Sequence, residues 1–307
     1  MASFTQEGSS EPKAMRFVVS VIICLALAGG MMVQPTSASE RAEPVNMCAS
    51  PDGWYSVAAR DPEFVVFGEE HDTNETPALF ASLACSLAKK GERLLIAIEF
   101  SPNHDVALQN AWNADQEQFE TLLLDAGWRG RHDGVGSEAM FTMVRDLHRL
   151  RLGGYTIDIT AFNGAGNEDQ RIRFAELPGQ GPHEAAQAEN IANAAQARSY
   201  DRVLVLVGNL HAMKKPYSLG SGRFDPMARR LEAYGSVLSF RMKHGGGTTW
   251  SCQRDCTANA AKADGSFDRE PFIAFNDRET DWLDSRYDGF YWIGPISASP
   301  PKAPDYE

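Results

Sequence analysis

The chain has 307 residues, 43% of them hydrophobic and 23% charged, an ordinary globular composition large enough for one big domain or two small ones. Its net charge of -12, with no basic cluster set against it, argues against a nucleic-acid or anionic-membrane partner, since both reward clustered Lys and Arg. The acidity otherwise speaks to solubility alone.

In chain order, Lys13 and Arg16 precede an apolar run from Phe17 to Leu27, and small residues follow through Ser37-Ala38-Ser39. This is the pattern of a secretory signal peptide over residues 1–39, too short for a transmembrane helix of about 20 residues. Met15 stands where the charged region of such a peptide normally begins, so residues 1–14 read as an over-long start. Export to the periplasm or outside the cell is expected, with no stable membrane insertion after cleavage. Cysteine usage agrees: Cys24 leaves with the signal, and Cys48, Cys85, Cys252 and Cys256 remain, an even number suited to an oxidising compartment. A local Cys252–Cys256 bridge and a Cys48–Cys85 staple are one of three possible connectivities, and no paired C-x-x-C spacing supports zinc instead.

The body, residues 40–296, begins with an irregular arm over 40–60. A strand is expected at 64–67, a helix at 76–90 entered through Thr76-Pro77 and left through Lys89-Lys90-Gly91, and a strand at 94–100. Residues 104–152 read as helix in two or three pieces, ending in an amphipathic stretch over 137–152. A third strand spans 155–162. The Gly/Asn/Pro-rich segment 163–182 is long enough to suggest a functional lid. An Ala-rich helix over 183–199, a strand at 203–207, a helix from Met227 to Tyr234 and a strand at 236–241 follow. Residues 245–266 read as an exposed loop, Phe272 to Phe275 and Gly289 to Ile293 as closing strands, and the Pro-rich tail 297–307 as disordered. Strand and helix alternate without a linker, which predicts one three-layer α/β/α domain on a mainly parallel sheet.

Two stretches repeat one design. Phe64-Val65-Val66-Phe67 runs into Gly68-Glu69-Glu70-His71, and Val203 to Val207 runs into Gly208-Asn209-Leu210-His211. Between them, the apolar strand at 94–98 ends in Glu99, and a buried carboxylate needs a partner. A parallel sheet sends all these strand ends to one edge, where α/β proteins bind ligands. Two histidines and carboxylates gathered there suit a divalent metal with an open position, or a metal-free Glu–His pair that activates water. Glu70 and Glu75 read as solvated or helix-start charges, His104 as a cap, His183 as a lid residue at most, and His132, His148 and His244 have no supporting context. No G-x-S-x-G, Walker, H-E-x-x-H or C-x-x-C-H sequence is present.

The paired G-x-x-H motifs, Gly68 to His71 and Gly208 to His211, with Glu99 between them, resemble the superfamily of Tiki proteases, TraB-like proteins, erythromycin esterases and ChaN-like haem-binding proteins. Glu189-Asn190-Ile191-Ala192 is similar to its R-[DN]-x-x-M-A segment, with Glu189 where arginine is expected. The resemblance implies a hydrolase with His71, Glu99 and His211 as catalytic or metal-binding residues and Glu69 assisting, acting on an ester or amide of a small molecule or peptide. It also implies an alternative, a haem or iron carrier, which would need an axial ligand such as Tyr217, Met213 or a histidine.

Overall fold

A computed structural model describes residues 48–220, 222–252, 255–276 and 284–304; the signal-peptide region lies outside them. Seven strands form the central sheet in the order β10-β11-β7-β1-β4-β2-β3. They are β1 (Phe64–Glu69), β2 (Leu94–Ile98), β3 (Ile157–Ala161), β4 (Arg202–Gly208), β7 (Val237–Lys243), β10 (Phe272–Phe275) and β11 (Gly289–Trp292). All neighbours run parallel except the outer pair β10–β11.

Strand periodicity divides the core into two layers. On β1, Val65 and Phe67 face one side while Phe64 and Val66 face the other; on β4, Leu204 and Leu206 oppose Val203, Val205 and Val207. Being covered on both faces is why these strands read as unbroken apolar runs. The first face packs beneath α1 (Trp54–Ala58), α2 (Glu75–Lys89), α3 (Asp105–Trp112), α4 (Gln116–Leu123) and α5 (Glu138–Leu152). The second packs beneath α7 (Gly181–Gln196) and α8 (Met227–Leu231), and α6 (Glu168–Phe174) lies against α7. Helix starts follow local chemistry: the Asp115 carboxylate accepts from the backbone of Glu117 and Gln118, and the Ser137 hydroxyl from Met140. All described residues fall in one compact unit, Glu43–Glu307.

Several sequence expectations change. Segment 163–182 is not an open loop, because Asn167 caps α6 within it. Segment 245–266 is a hairpin of β8 (Gly247–Cys252) and β9 (Cys256–Ala261), closed by the Cys252–Cys256 disulfide; a small hairpin of β5 (Tyr217–Leu219) and β6 (Gly222–Phe224) was not foreseen. The second disulfide joins Cys48 to Cys85 on α2. Part of the irregular arm folds as α1. The tail, read as disordered, is packed over 297–304: Ser299 is fully buried, and its backbone N–H donates to the Asp72 carbonyl. Composition misled there because Pro-rich backbone can pair with loops edge by edge without forming an element.

His148 on α5 illustrates how the core treats a polar side chain. It is fully buried, stacks on Phe119 at 3.7 Å, and places Nε2 3.1 Å from the Ala114 carbonyl oxygen. Burial lowers its pKa to about 4. The unfolded chain therefore takes up a proton near pH 6.5 that the folded chain refuses until about pH 4, and stability falls as pH drops through that window. The loss amounts to about 3 kcal/mol. His148→Phe keeps the stack and removes the proton, so the difference in unfolding free energy between variant and wild type should rise between pH 6.5 and 4 in the variant's favour. Parallel pH curves in denaturant titrations would refute this.

Candidate functional site

Register sets the site before any side chain is considered. β1, β4 and β2 are adjacent, with Glu69 level with Gly208 and Ile98 level with Leu206. Glu99, one residue past β2, therefore stands at the same height as the two G-x-x-H turns. Its carboxylate lies between the two histidines, with Oε2 3.4 Å from His71 Nε2 and Oε1 3.5 Å from His211 Nε2. The Gly208 backbone N–H donates to Glu99 Oε2 at 2.7 Å. Glycine matters at this turn: a Cβ on Gly208 would sit 3.0 Å from His71 Nε2, inside the space the ring needs.

Each histidine is held from behind by its own carboxylate. His71 Nδ1 is 2.9 Å from Glu69 Oε1, and His211 Nδ1 is 2.8 Å from Glu184 Oε1. Glu184, fully buried in the first turn of α7, also accepts the Met227 backbone N–H at 2.7 Å. The result is a nearly symmetrical row: Glu69, His71, Glu99, His211, Glu184. Burial opposes charge on both imidazoles, and their carboxylate hydrogen bonds outweigh it, so His211 is raised and His71 stands well above the ordinary histidine value. Burial likewise opposes ionisation of Glu99, but the hydrogen bond and charge of His71, then the charge of His211, hold it at about 2. His71 remains one-third exposed, so the row opens to solvent at that end.

The sequence missed Glu184. It was legible in principle, because Glu184 falls on the buried stripe of α7 shared with Ala188, Ile191 and Ala192, where a carboxylate is out of place. His183 also stands near the row: its ring lies 5.7 Å from that of His211, and burial together with His211 lowers its pKa. The Glu189-Asn190 segment stands apart. Glu189 pairs with Arg173 at 2.7 Å, and Asn190 donates to the Phe162 and Gly164 carbonyls. His104 is exposed at the end of a short turn before α3, and Glu75 accepts from the Ser297 backbone. Met213 is buried in the second core layer, against which Tyr217 packs in edge contact with Phe224.

Two donor sets bear on metal binding. His71 Nε2, Glu99 and His211 Nε2 suit a divalent ion chemically, since a carboxylate behind each ring leaves Nε2 as the free donor. The other is Glu70, His244 and Asp264, whose ligand atoms lie within 4.8 Å of one another. There, His244 Nδ1 accepts the Gly246 N–H at 3.0 Å, so Nε2 carries the ring proton toward Glu70 at 3.4 Å and Asp264 at 3.7 Å. That cluster is satisfied by hydrogen bonding, and Glu70 and His244 are partners rather than the solvated residue and isolated histidine the sequence suggested.

No family model matches the chain, and no curated protein matches it. Its fold is shared with solved structures of low identity. A Bacillus cereus protein superposes with a TM-score of 0.58 at 10% identity, covering 84% of this chain and 96% of that one. The erythromycin esterase EreC, in the open conformation of a histidine-to-asparagine variant, gives 0.56 at 11%, covering 80% and 94%. A succinoglycan biosynthesis protein gives 0.54 at 11%, covering 85% and 96%. The likeness is one of fold, and it includes an esterase.

The shared role of Glu99 has a direct consequence. In Glu99→Gln both imidazoles lose a negative neighbour, so both histidine pKa values should fall, and His71, hydrogen-bonded to it, should fall further. Titration of the ring resonances by NMR measures this; unchanged values at both rings would show that Glu99 does not couple them.

Proposed function

We propose that the protein is a hydrolase that activates water at the histidine–carboxylate row and cleaves an ester or amide of a small molecule or peptide. The observation that carries this reading is the placement of Glu99 between two imidazoles whose outer nitrogens are each fixed by a separate carboxylate. Such backing fixes the orientation of each ring and leaves Nε2 as its working atom. In the proposed cycle, a neutral imidazole takes a proton from water at Nε2 as the water oxygen bonds to the acyl carbon. The other imidazole, protonated, gives its proton to the leaving oxygen or nitrogen as that bond breaks. Glu99, in contact with both rings, is the group through which they re-equilibrate the proton between turnovers. Were a divalent ion held by His71, Glu99 and His211 instead, the two Nε2 atoms would be ligands rather than acid and base, and the ion would supply a Lewis acid for the carbonyl oxygen.

For the haem-carrier alternative, Met213 and Tyr217 are engaged in packing, which leaves a histidine as its axial-ligand candidate. Export is part of the proposal. Two disulfides suit an oxidising compartment, and among the described residues no helix is long and apolar enough to cross a membrane.

The test is hydrolysis of an ester and peptide panel by the mature, disulfide-bonded protein beside His71→Ala and His211→Ala. Each substitution should lower kcat by about 10²–10⁴-fold, the range for a positioned acid or base. Turnover equal in wild type and both variants would sink the reading. Elemental analysis of the same three samples separates its forms: divalent metal near one equivalent, lost in both variants, assigns an ion to these donors. Absence of metal from an active wild type leaves the histidine–carboxylate pairs to act alone.

A further inference from the structure

The row of three carboxylates and two histidines can move protons, but hydrolysis of an acyl group also builds negative charge on the carbonyl oxygen. That oxygen needs a donor. The ion pairs made by Glu69, Glu99 and Glu184 all go to His71 and His211. Another polar group beside them is His183, whose ring lies 5.7 Å from that of His211 and whose protonation pattern follows from a directional chain of hydrogen bonds.

The chain starts at the backbone carbonyl of Glu99, which can only accept. The Asn163 amide nitrogen donates to it at 3.4 Å, which turns the Asn163 side-chain oxygen toward Gln187. Gln187, fully buried on α7, therefore presents its amide nitrogen, which donates to that oxygen at 2.9 Å and lies 3.0 Å from His183 Nε2. An amide nitrogen can only donate, so His183 Nε2 accepts and the ring proton resides on Nδ1. Among the described residues, no hydrogen-bond partner is seen for Nδ1. It faces Gly164, a residue with φ of +88°; a Cβ built there would have, within 4 Å, only His183 Nδ1 at 3.3 Å and Cε1 at 3.4 Å. Glycine thus leaves uncovered the edge of the imidazole that bears the proton, and His183 itself is exposed at the surface.

We propose that His183 is a further catalytic residue, whose fixed Nδ1–H donates a hydrogen bond to the carbonyl oxygen of the scissile ester or amide. This rests on the hydrolase reading above. In it, His183 stays neutral and transfers no proton; it stabilises the oxygen as the water attacks. Gln187 and Asn163 act behind it as positioning residues that fix its tautomer.

The experiment compares wild type, His71→Ala, His183→Ala and His183→Asn on p-nitrophenyl acetate, with the His183 tautomer read by long-range ¹H–¹⁵N NMR on the folded wild type. Asparagine places an amide N–H near the position of Nδ1–H. The expected result is a kcat loss of about 10²–10³-fold in His183→Ala with KM little changed, the range for removal of one oxyanion donor. His183→Asn should recover most of it, and the NMR should show a proton on Nδ1. Wild-type turnover in His183→Ala, while His71→Ala is inactive, overturns the role of His183 and leaves the hydrolase reading standing. A proton on Nε2, or equal losses in the alanine and asparagine variants, also overturns it. Wild-type turnover no better than that of His71→Ala removes the hydrolase reading, and the proposal with it.

Discussion

A carboxylate buried at the end of a parallel sheet is the constraint from which the site follows. Glu99 is 6% exposed, and an ionised group so placed persists only if charge and hydrogen bonds replace the water it lost. The fold meets that demand with the two G-x-x-H turns that flank it, each contributing an imidazole, and with the Gly208 backbone N–H. Each imidazole is largely enclosed in turn and needs a counter-charge, which Glu69 and Glu184 supply. One buried charge thereby calls up four more titratable groups, and the alternation of sign along the row keeps all five tenable in a low-dielectric setting.

Holding such a row requires that the turns carrying it be stiff. The Tyr291 hydroxyl donates to the Gly68 carbonyl at 2.8 Å, and the Tyr287 hydroxyl donates to the Asn209 carbonyl at 2.7 Å. The Asn209 side chain accepts the Met242 backbone N–H at 3.2 Å. From the other side, the β8 hairpin and the C-terminal segment both donate backbone N–H groups to the Asp72 carbonyl, from Trp250 and Ser299. Elements distant in sequence, several of them with no titratable role, thus clamp the loop after His71. Such clamping holds the imidazoles in place, the preorganisation that the proposed proton transfers require.

The open end of the row differs from its closed end. Glu184 is fully buried on α7, whereas His71 keeps a third of its side chain in solvent; His183, itself exposed, stands beside His211 toward the Glu184 end.

Much of this was legible in the chain itself. Apolar runs of strand length, each broken by Gly-x-x-His or by a lone glutamate, determined a parallel α/β sheet with its polar ends at one edge, because two-sided burial leaves no other place for charge. His71, Glu99 and His211 stand out on that ground and Glu69 through the family resemblance, and the structure places the four side by side. Glu184 and His183 were decided only by tertiary structure. They come from a helix, and which face of α7 meets the strand ends depends on how the 163–182 segment delivers it to the sheet. The pairing of residues 297–299 with the Asp72 loop, and of residues 300–303 with the segments around Ser137 and Arg129, was likewise invisible in sequence, since it rests mainly on backbone groups that every residue carries alike. Strand periodicity is local and writes itself into composition; the angle at which a helix or a tail returns is a property of the packed whole.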